Sequence, residues 1–146
     1  MENLKEKFNI LNIEKTVDGL EKVTLDKRDL KKCLSTLKNS AEYSYDVLLS
    51  INAIDFIEKI ELIYTIYSSK LNHIKLISAF VDSDNPVIES ISSVFKSANF
   101  DEREIFDLFG VSFEGHKNIK RILMPNSSVG HPLLKNYSKN DERFYD

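Results

Sequence analysis

Two adjacent segments of alternating apolar residues constrain this chain more than anything else in it. In Ile57–Tyr67 the residues Ile60, Leu62, Tyr64 and Ile66 recur at every second position, and in His73–Val81 the residues Ile74, Leu76 and Phe80 share a face. A period of two belongs to β-strands. The polar turn Ser68-Ser69-Lys70 between them predicts an antiparallel hairpin. Ile63, Tyr67, Ile77 and Val81 add apolar residues to the opposite faces, so the pair is expected to be central in a sheet and covered on both sides.

Further strands are expected at Leu20–Asp26, through Leu20, Val23 and Leu25, and at Tyr45–Ile51. In the latter, Val47 and Leu49 share one face, and Tyr45, Leu48 and Ile51 are available to the other. Leu30, Cys33, Leu34 and Leu37 recur at helical spacing with Lys31, Lys32, Ser35 and Lys38 facing out, and Asp26 can cap the start of that helix. The stripe makes Cys33 a core thiol. Leu4, Phe8 and Leu11 allow a short amphipathic helix at the start. Asn85-Pro86 predicts another helix, burying Val87, Ile88, Ile91, Val94 and Phe95. Asn99 with Glu102 in capping-box position predicts one more, ended by Gly110. Arg103 and Asp107, four apart, are expected to pair on it.

With 146 residues and 42% hydrophobic content, the chain is sized for one domain with a real core. A formal charge of −3 disfavours a nucleic-acid partner held by counterion release. The charged start, Met1-Glu2-Asn3-Leu4-Lys5-Glu6-Lys7, does not read as a signal peptide, and no apolar run reaches the ~20 residues of a spanning helix, so a soluble, cytoplasmic protein is expected. A single cysteine excludes a disulfide framework, a Cys-x-x-Cys zinc site and an iron–sulfur cluster held within the chain, and four glycines form no phosphate-binding loop.

Beyond Gly110 neither period continues, although Phe113, Ile119, Ile122, Leu123, Met124, Leu133, Leu134, Tyr137, Phe144 and Tyr145 are scattered through the segment. An ordered arm without a core of its own must borrow one, because ordering backbone costs ~1–2 kcal/mol per residue. Residues 1–109 hold 14 Lys/Arg against 19 Asp/Glu, and residues 110–146 hold 6 against 4. Lys117, Lys120, Arg121, Lys135, Lys139 and Arg143 can therefore meet an acidic surface or phosphate groups, or remain a solvated tail. The expected fold is α+β: a mostly antiparallel central sheet flanked by helices in residues 1–110. An extended, irregular C-terminal arm, residues 111–146, packs on its own domain and on a partner.

Three clusters invite catalysis. Glu102, Glu104 and Asp107 are carboxylates suited to acid/base work or divalent metal binding, but Glu102 and Glu104 point to different faces. His116 and His131 lack ligand spacing, and no serine sits in a nucleophile elbow. Nothing assembles a nucleophile, base and oxyanion donor, which favours a binding or scaffold role. No catalytic, cofactor-binding or metal residue is assigned.

The run Glu102-Arg103-Glu104-Ile105-Phe106-Asp107-Leu108-Phe109-Gly110-Val111-Ser112-Phe113-Glu114-Gly115-His116 continues through Lys120-Arg121 to Gly130-His131-Pro132-Leu133. In this it resembles the 30-kilodalton-type (C-type) subunit of respiratory NADH:quinone oxidoreductase (complex I) and the equivalent subunit of energy-converting membrane-bound hydrogenases. Phe100 stands where a Trp is frequent in the family. Leu133-Leu134-Lys135-Asn136-Tyr137-Ser138 departs from its Leu-Arg-Lys-Asp-Tyr-Pro tail. The resemblance implies a non-catalytic assembly subunit of the hydrophilic arm, without a redox centre of its own. Its partners would be a hydrogenase-like large subunit and a small subunit that holds iron–sulfur clusters, and it would lie peripherally on the cytoplasmic face of the membrane. Glu102, Arg103, Glu104 and Asp107 would then fix the root of the arm, while His116, Lys120, Arg121, His131 and Pro132 shape its course over the partner. The shorter chain keeps a nickel–iron hydrogenase complex as the alternative. A small independent enzyme using the acidic helix and His116 is a further one.

Overall fold

A computed structural model describes residues 2–137 of the chain. Lys139, Arg143, Phe144 and Tyr145, named above as basic or apolar residues of the arm, lie outside the described residues. In chain order the elements are α1 (Glu2–Lys7), β1 (Ile10–Lys15), β2 (Glu21–Leu25), α2 (Leu30–Asn39), β3 (Val47–Asp55), β4 (Lys59–Ser68), β5 (His73–Asp82), β6 (Val87–Glu89), α3 (Ala98–Phe109) and β7 (Ser112–Glu114).

The alternating pair forms the antiparallel hairpin β4–β5, with Ile60 opposite Val81, Leu62 opposite Ala79 and Tyr64 opposite Ile77. These residues and Ile66 are all buried. β5 pairs in parallel with β2, Val23 beside Ile77 and Leu25 beside Ala79, and β1 closes that edge. β3 joins the other side of β4, giving the order β1-β2-β5-β4-β3 and the mostly antiparallel α+β architecture expected. Fully burying a Leu or Ile side chain contributes about 1.5–3 kcal/mol, so this one face dominates the driving force.

The strand β3 shows how the sheet corrects a parity mismatch. Leu48 and Ile51 are both buried, although an odd separation sends side chains of a regular strand to opposite faces. Register shifts between Leu48 and Ser50, so a bulge absorbs one residue and returns Ile51 to the core opposite Tyr64. Leu49, the residue passed over, is exposed.

Helix α2 buries the stripe read from its spacing, Leu30, Cys33, Leu34 and Leu37. Burial pushes the Cys33 thiol up to about 12, so it is a core side chain rather than a nucleophile. Asp26 caps the preceding short turn by accepting from the Arg28 N–H at 2.9 Å.

Several expectations are overturned. The stretch after Asn85-Pro86 is not a helix: Val87–Glu89 is strand β6, pairing in parallel with β7, and Ser90 N–H donates to the Glu114 carbonyl. The serines at 90, 92 and 93 compete for backbone hydrogen bonds and weaken a helix there, while the ladder buries Ile88 and Phe113. β7 lies in the segment without a period, because three residues are too few to show one. Leu4 of helix α1 and Phe8 just after it are buried, but Leu11 is 60% exposed on strand β1, which its sequence does not announce. The second face of the sheet is less covered than expected: Ile63, Tyr67, Ile74, Leu76 and Phe80 stay half-buried, and Val47 and Ile54 are exposed.

Candidate functional site: the clasp between helix α3 and the C-terminal arm

Helix α3 packs along β3 with Ala98, Glu102, Ile105 and Asp107 buried. Two of those four are carboxylates, and burying a charge is costly unless it is fully hydrogen-bonded. Both are, and their partners define the site.

Asp107 is fully buried. One carboxylate oxygen accepts three consecutive backbone N–H groups, from Ile122 at 3.1 Å, Leu123 at 2.7 Å and Met124 at 2.9 Å. The other accepts Arg121 Nη1 at 2.8 Å. Burial pushes this carboxyl up, but Met124 N–H, the Arg121 guanidinium, Leu123 N–H and Ile122 N–H together outweigh it and hold the group below its ordinary value. Arg121 also donates through Nη2 to the Gly130 carbonyl at 2.9 Å, and His131 Nδ1 donates to the Asp107 carbonyl at 2.9 Å. Leu133 N–H then reaches the Leu108 carbonyl, and Lys135 N–H reaches Asp55 Oδ2 at 2.8 Å. The irregular arm is thus pinned to the body through the buried carboxylates of Asp107 and Asp55 and the Leu108 carbonyl.

Gly110 makes the approach of the arm feasible. It ends α3 in the left-handed conformation, φ 78, as its position predicts. A Cβ there would lie 2.6 Å from His131 Cδ2 and 2.9 Å from its Nε2. Gly110→Ala should therefore displace the His131 ring and break its bond to Asp107. The expected cost is about 1–2 kcal/mol for the left-handed backbone alone. Two-dimensional NMR of the imidazole protons checks this, since an unmoved ring would contradict it.

Glu102 ties the other end of the helix. It is fully buried and accepts Ser90 Oγ at 2.6 Å and Ile91 N–H at 2.7 Å, so it anchors the loop after β6 instead of capping its own helix. The capping-box expectation fails because α3 begins at Ala98, before Asn99, with Ser97 at the N-cap. Burial pushes the Glu102 carboxyl up, against the hydrogen bonds from Ser90 and Ile91 and the nearby His116. His116 Nε2 lies 3.9 Å from Glu102 and donates to the Asn99 carbonyl at 3.1 Å, while Nδ1 accepts Asn118 N–H. Nε2 therefore carries a proton and faces both the Asn99 carbonyl and the Glu102 carboxylate at the root of the arm. The Tyr64 hydroxyl is buried without a hydrogen-bond partner among the described residues, and burial together with the Glu102 charge pushes its pKa far up.

The structure thus brings Glu102 and His116 into one cluster and Asp107, Arg121 and His131 into another. The expected Arg103–Asp107 pair does not form. Asp107 faces inward to four donors of the arm, and Arg103 Nε instead reaches the Lys120 carbonyl at 3.4 Å. Lys120 is exposed and contributes that carbonyl, Pro132 is half-buried beside His131, and Glu104 is half-buried near Asp101. Asp55 and Ser90 are site residues that sequence reasoning does not reach. An Asp two residues before a turn N–H, here Asp55 accepting from Ile57, is the one local signal that could have marked the first. Among the described residues no group of three or more His, Cys, Asp or Glu is arranged to hold a metal ion.

The chain matches the family model described as respiratory-chain NADH dehydrogenase, 30 Kd subunit, over residues 23–143. It is 34% identical over 140 residues to the C subunit of the NADH-quinone oxidoreductase of Geobacter metallireducens, covering 92% of this chain and 85% of that one. The same-named protein of Trichlorobacter lovleyi is 36% identical over 142 residues, covering 94% and 86%. Among solved structures, the trypsin-resistant fragment (1–134) of Nqo5 superposes with a TM-score of 0.70 at 24% identity, over 80% of this chain and 93% of the fragment. A chain of an archaeal membrane-bound sulfane sulfur reductase superposes with a TM-score of 0.78 at 19% identity, over 95% and 83%, and shares the fold. The run from Glu102 to His131, folded into the clasp, is thus carried by a chain that belongs to the 30 Kd subunit family of respiratory-chain NADH dehydrogenase.

Proposed function

We propose that the chain is the 30-kilodalton-type assembly subunit of the hydrophilic arm of an NADH:quinone oxidoreductase complex. The observation that carries this reading is how the C-terminal arm is held. The N–H groups of Ile122, Leu123, Met124 and Lys135 and the Gly130 carbonyl are bonded inward by Asp107, Asp55 and Arg121, while Leu123, Val129 and Leu133 stand 60%, 47% and 53% exposed. An arm fixed by polar bonds on its inner side, with large apolar side chains outside, is pre-organised to dock on a neighbour at reduced entropic cost.

The partners in this reading are the hydrogenase-like large subunit and the iron–sulfur small subunit. Redox centres lie in those neighbours and none in this chain. Attachment to the membrane is indirect and peripheral on its cytoplasmic face, consistent with the lack of any described helix long and apolar enough to cross a membrane. The related subunits named above support the NADH:quinone type over a nickel–iron hydrogenase.

Truncation after Lys117, which keeps β7 and the buried Val111 and Phe113 in the body, is the test, with the other subunits co-expressed. The shortened chain should stay soluble and fail to co-purify with the large subunit, whereas the full chain brings it down and carries no stoichiometric iron when purified alone. A truncated chain that still assembles, or a lone chain loaded with iron or flavin, overturns the proposal. Partners with nickel–iron ligands would move the chain to the hydrogenase complex.

A further inference from the structure

A cavity of about 290 Å³ lies at the seam between body and arm, away from the buried Asp107 carboxylate. Ile60, Pro86, Phe109 and Leu134 line it, with Ser83 and His131 among the polar groups. Because His131 Nδ1 donates to the Asp107 carbonyl, its Nε2 is left as an acceptor with no partner among the described residues. The Ser83 hydroxyl is likewise unpartnered.

A second, independent feature marks the mouth of the same cavity. Ile57 lines it with φ 74, a left-handed conformation rare for a β-branched residue, and is 68% exposed. Asp55 Oδ1 holds the strained turn by accepting Ile57 N–H at 2.8 Å, and Phe56 beside it is 45% exposed. Glycine or asparagine suits such a turn better. Retaining strained, solvent-facing Phe-Ile beside a cavity lined by apolar side chains is the pattern of a surface shaped for an occupant.

We infer that this cavity receives one aromatic side chain bearing an N–H or O–H donor, a tryptophan or tyrosine, presented by a neighbouring subunit of the complex. The volume falls just below the usual range for small-molecule sites, which runs from about 300 to 1,000 Å³, and suits a single ring better than a nucleotide or flavin. The free His131 Nε2 accepts the donor of the ring, and the apolar wall takes its faces. Tyrosine and tryptophan are the usual anchors of this kind at interfaces. The exposed Phe56, Ile57 and Leu133 would extend the contact beyond the cavity, as a protein surface does and a free solute does not. Residues 138–146 fit less well by sequence, because their only aromatics, Phe144 and Tyr145, follow the charged and polar stretch Ser138-Lys139-Asn140-Asp141-Glu142-Arg143.

The identity of the donor chain rests on the assembly reading above; the cavity does not. Two measurements separate them. In the isolated full chain, the methyl NMR signals of Ile57, Ile60 and Leu134 should shift on titration with phenol at concentrations at least about tenfold below those needed with toluene (1.4 kcal/mol being tenfold). Ile57→Gly should raise the Tm of the isolated chain while weakening phenol binding. Equal response to both solutes, or none, overturns the donor-bearing ring whatever complex the chain joins. In the purified complex, a benzophenone amino acid at position 57 should cross-link to a neighbouring subunit within a peptide holding the Tyr or Trp. Cross-linking only to residues 138–146 would assign the cavity to the chain's own end and overturn the partner.

Discussion

Asp107→Asn should release the arm while sparing the sheet. The amide can no longer accept as many backbone N–H groups, and its own N–H₂ is pushed against donors already aimed at it. Removing one partner of a buried charged pair is strongly destabilising, about 3–5 kcal/mol. That loss falls on contacts of residues 121–131, so it opens the arm and leaves the β4–β5 pairing in place. Hydrogen exchange at Ile122, Leu123 and Met124 should accelerate by orders of magnitude while Leu62 and Ile77 keep their protection. If both groups accelerate together, arm and body are one cooperative unit and the clasp is not separable. Co-purification with the large subunit should fall, as is expected on truncation.

The second large effect is at Glu102. Glu102→Ala orphans the buried Ile91 N–H at about 1–3 kcal/mol and adds a cavity beneath Ser90, so β6, β7 and the start of the arm should loosen together. Glu102→Gln keeps the volume, and its pH behaviour distinguishes the two carboxylates. Asp107 has a folded-state value depressed below 3.8. Its stabilisation is complete above its ordinary value and is lost as pH falls through the depressed one. Glu102 is raised above 4.5, so its favourable contribution belongs to low pH and is lost as pH rises through the raised value. Urea unfolding from acid to neutral pH should therefore show two opposing dependences. Glu102→Gln removes the one that weakens the fold on going up, and Asp107→Asn removes the one that weakens it on going down. A Glu102→Gln profile parallel to the parent would mean that the buried acid does not titrate in this window.

Much of the sheet was legible because alternation over ten residues leaves few other structures for β4 and β5. The bulge in β3 was half legible, since Tyr45, Leu48 and Ile51 group on one face although a regular strand gives no reason for their odd spacing. β6 was misread because Asn-Pro marks both a helix start and the entry to an extended segment. What decides there is a parallel partner 25 residues further on, which no local pattern reports. The arm had the same difficulty on a larger scale: its order comes from single polar groups of the body, not from a repeat. Motif resemblance brought His116, Arg121 and His131 into view. The wrong partner for Asp107 came from helical spacing, a weak surface effect of a few tenths of a kcal/mol that four inward donors easily override.

The parallel seam between β2 and β5 sets an order for assembly. β2 is made early, yet its neighbour is completed more than fifty residues later, and closing so long a loop is slow compared with forming the local β4–β5 hairpin. On a translating ribosome β1 and β2 must wait for β5, and the clasp, whose donors lie in residues 121–131 beyond every strand of the sheet, closes after it. Nascent chains stalled before Met124 should therefore expose a finished sheet with its docking arm still unset.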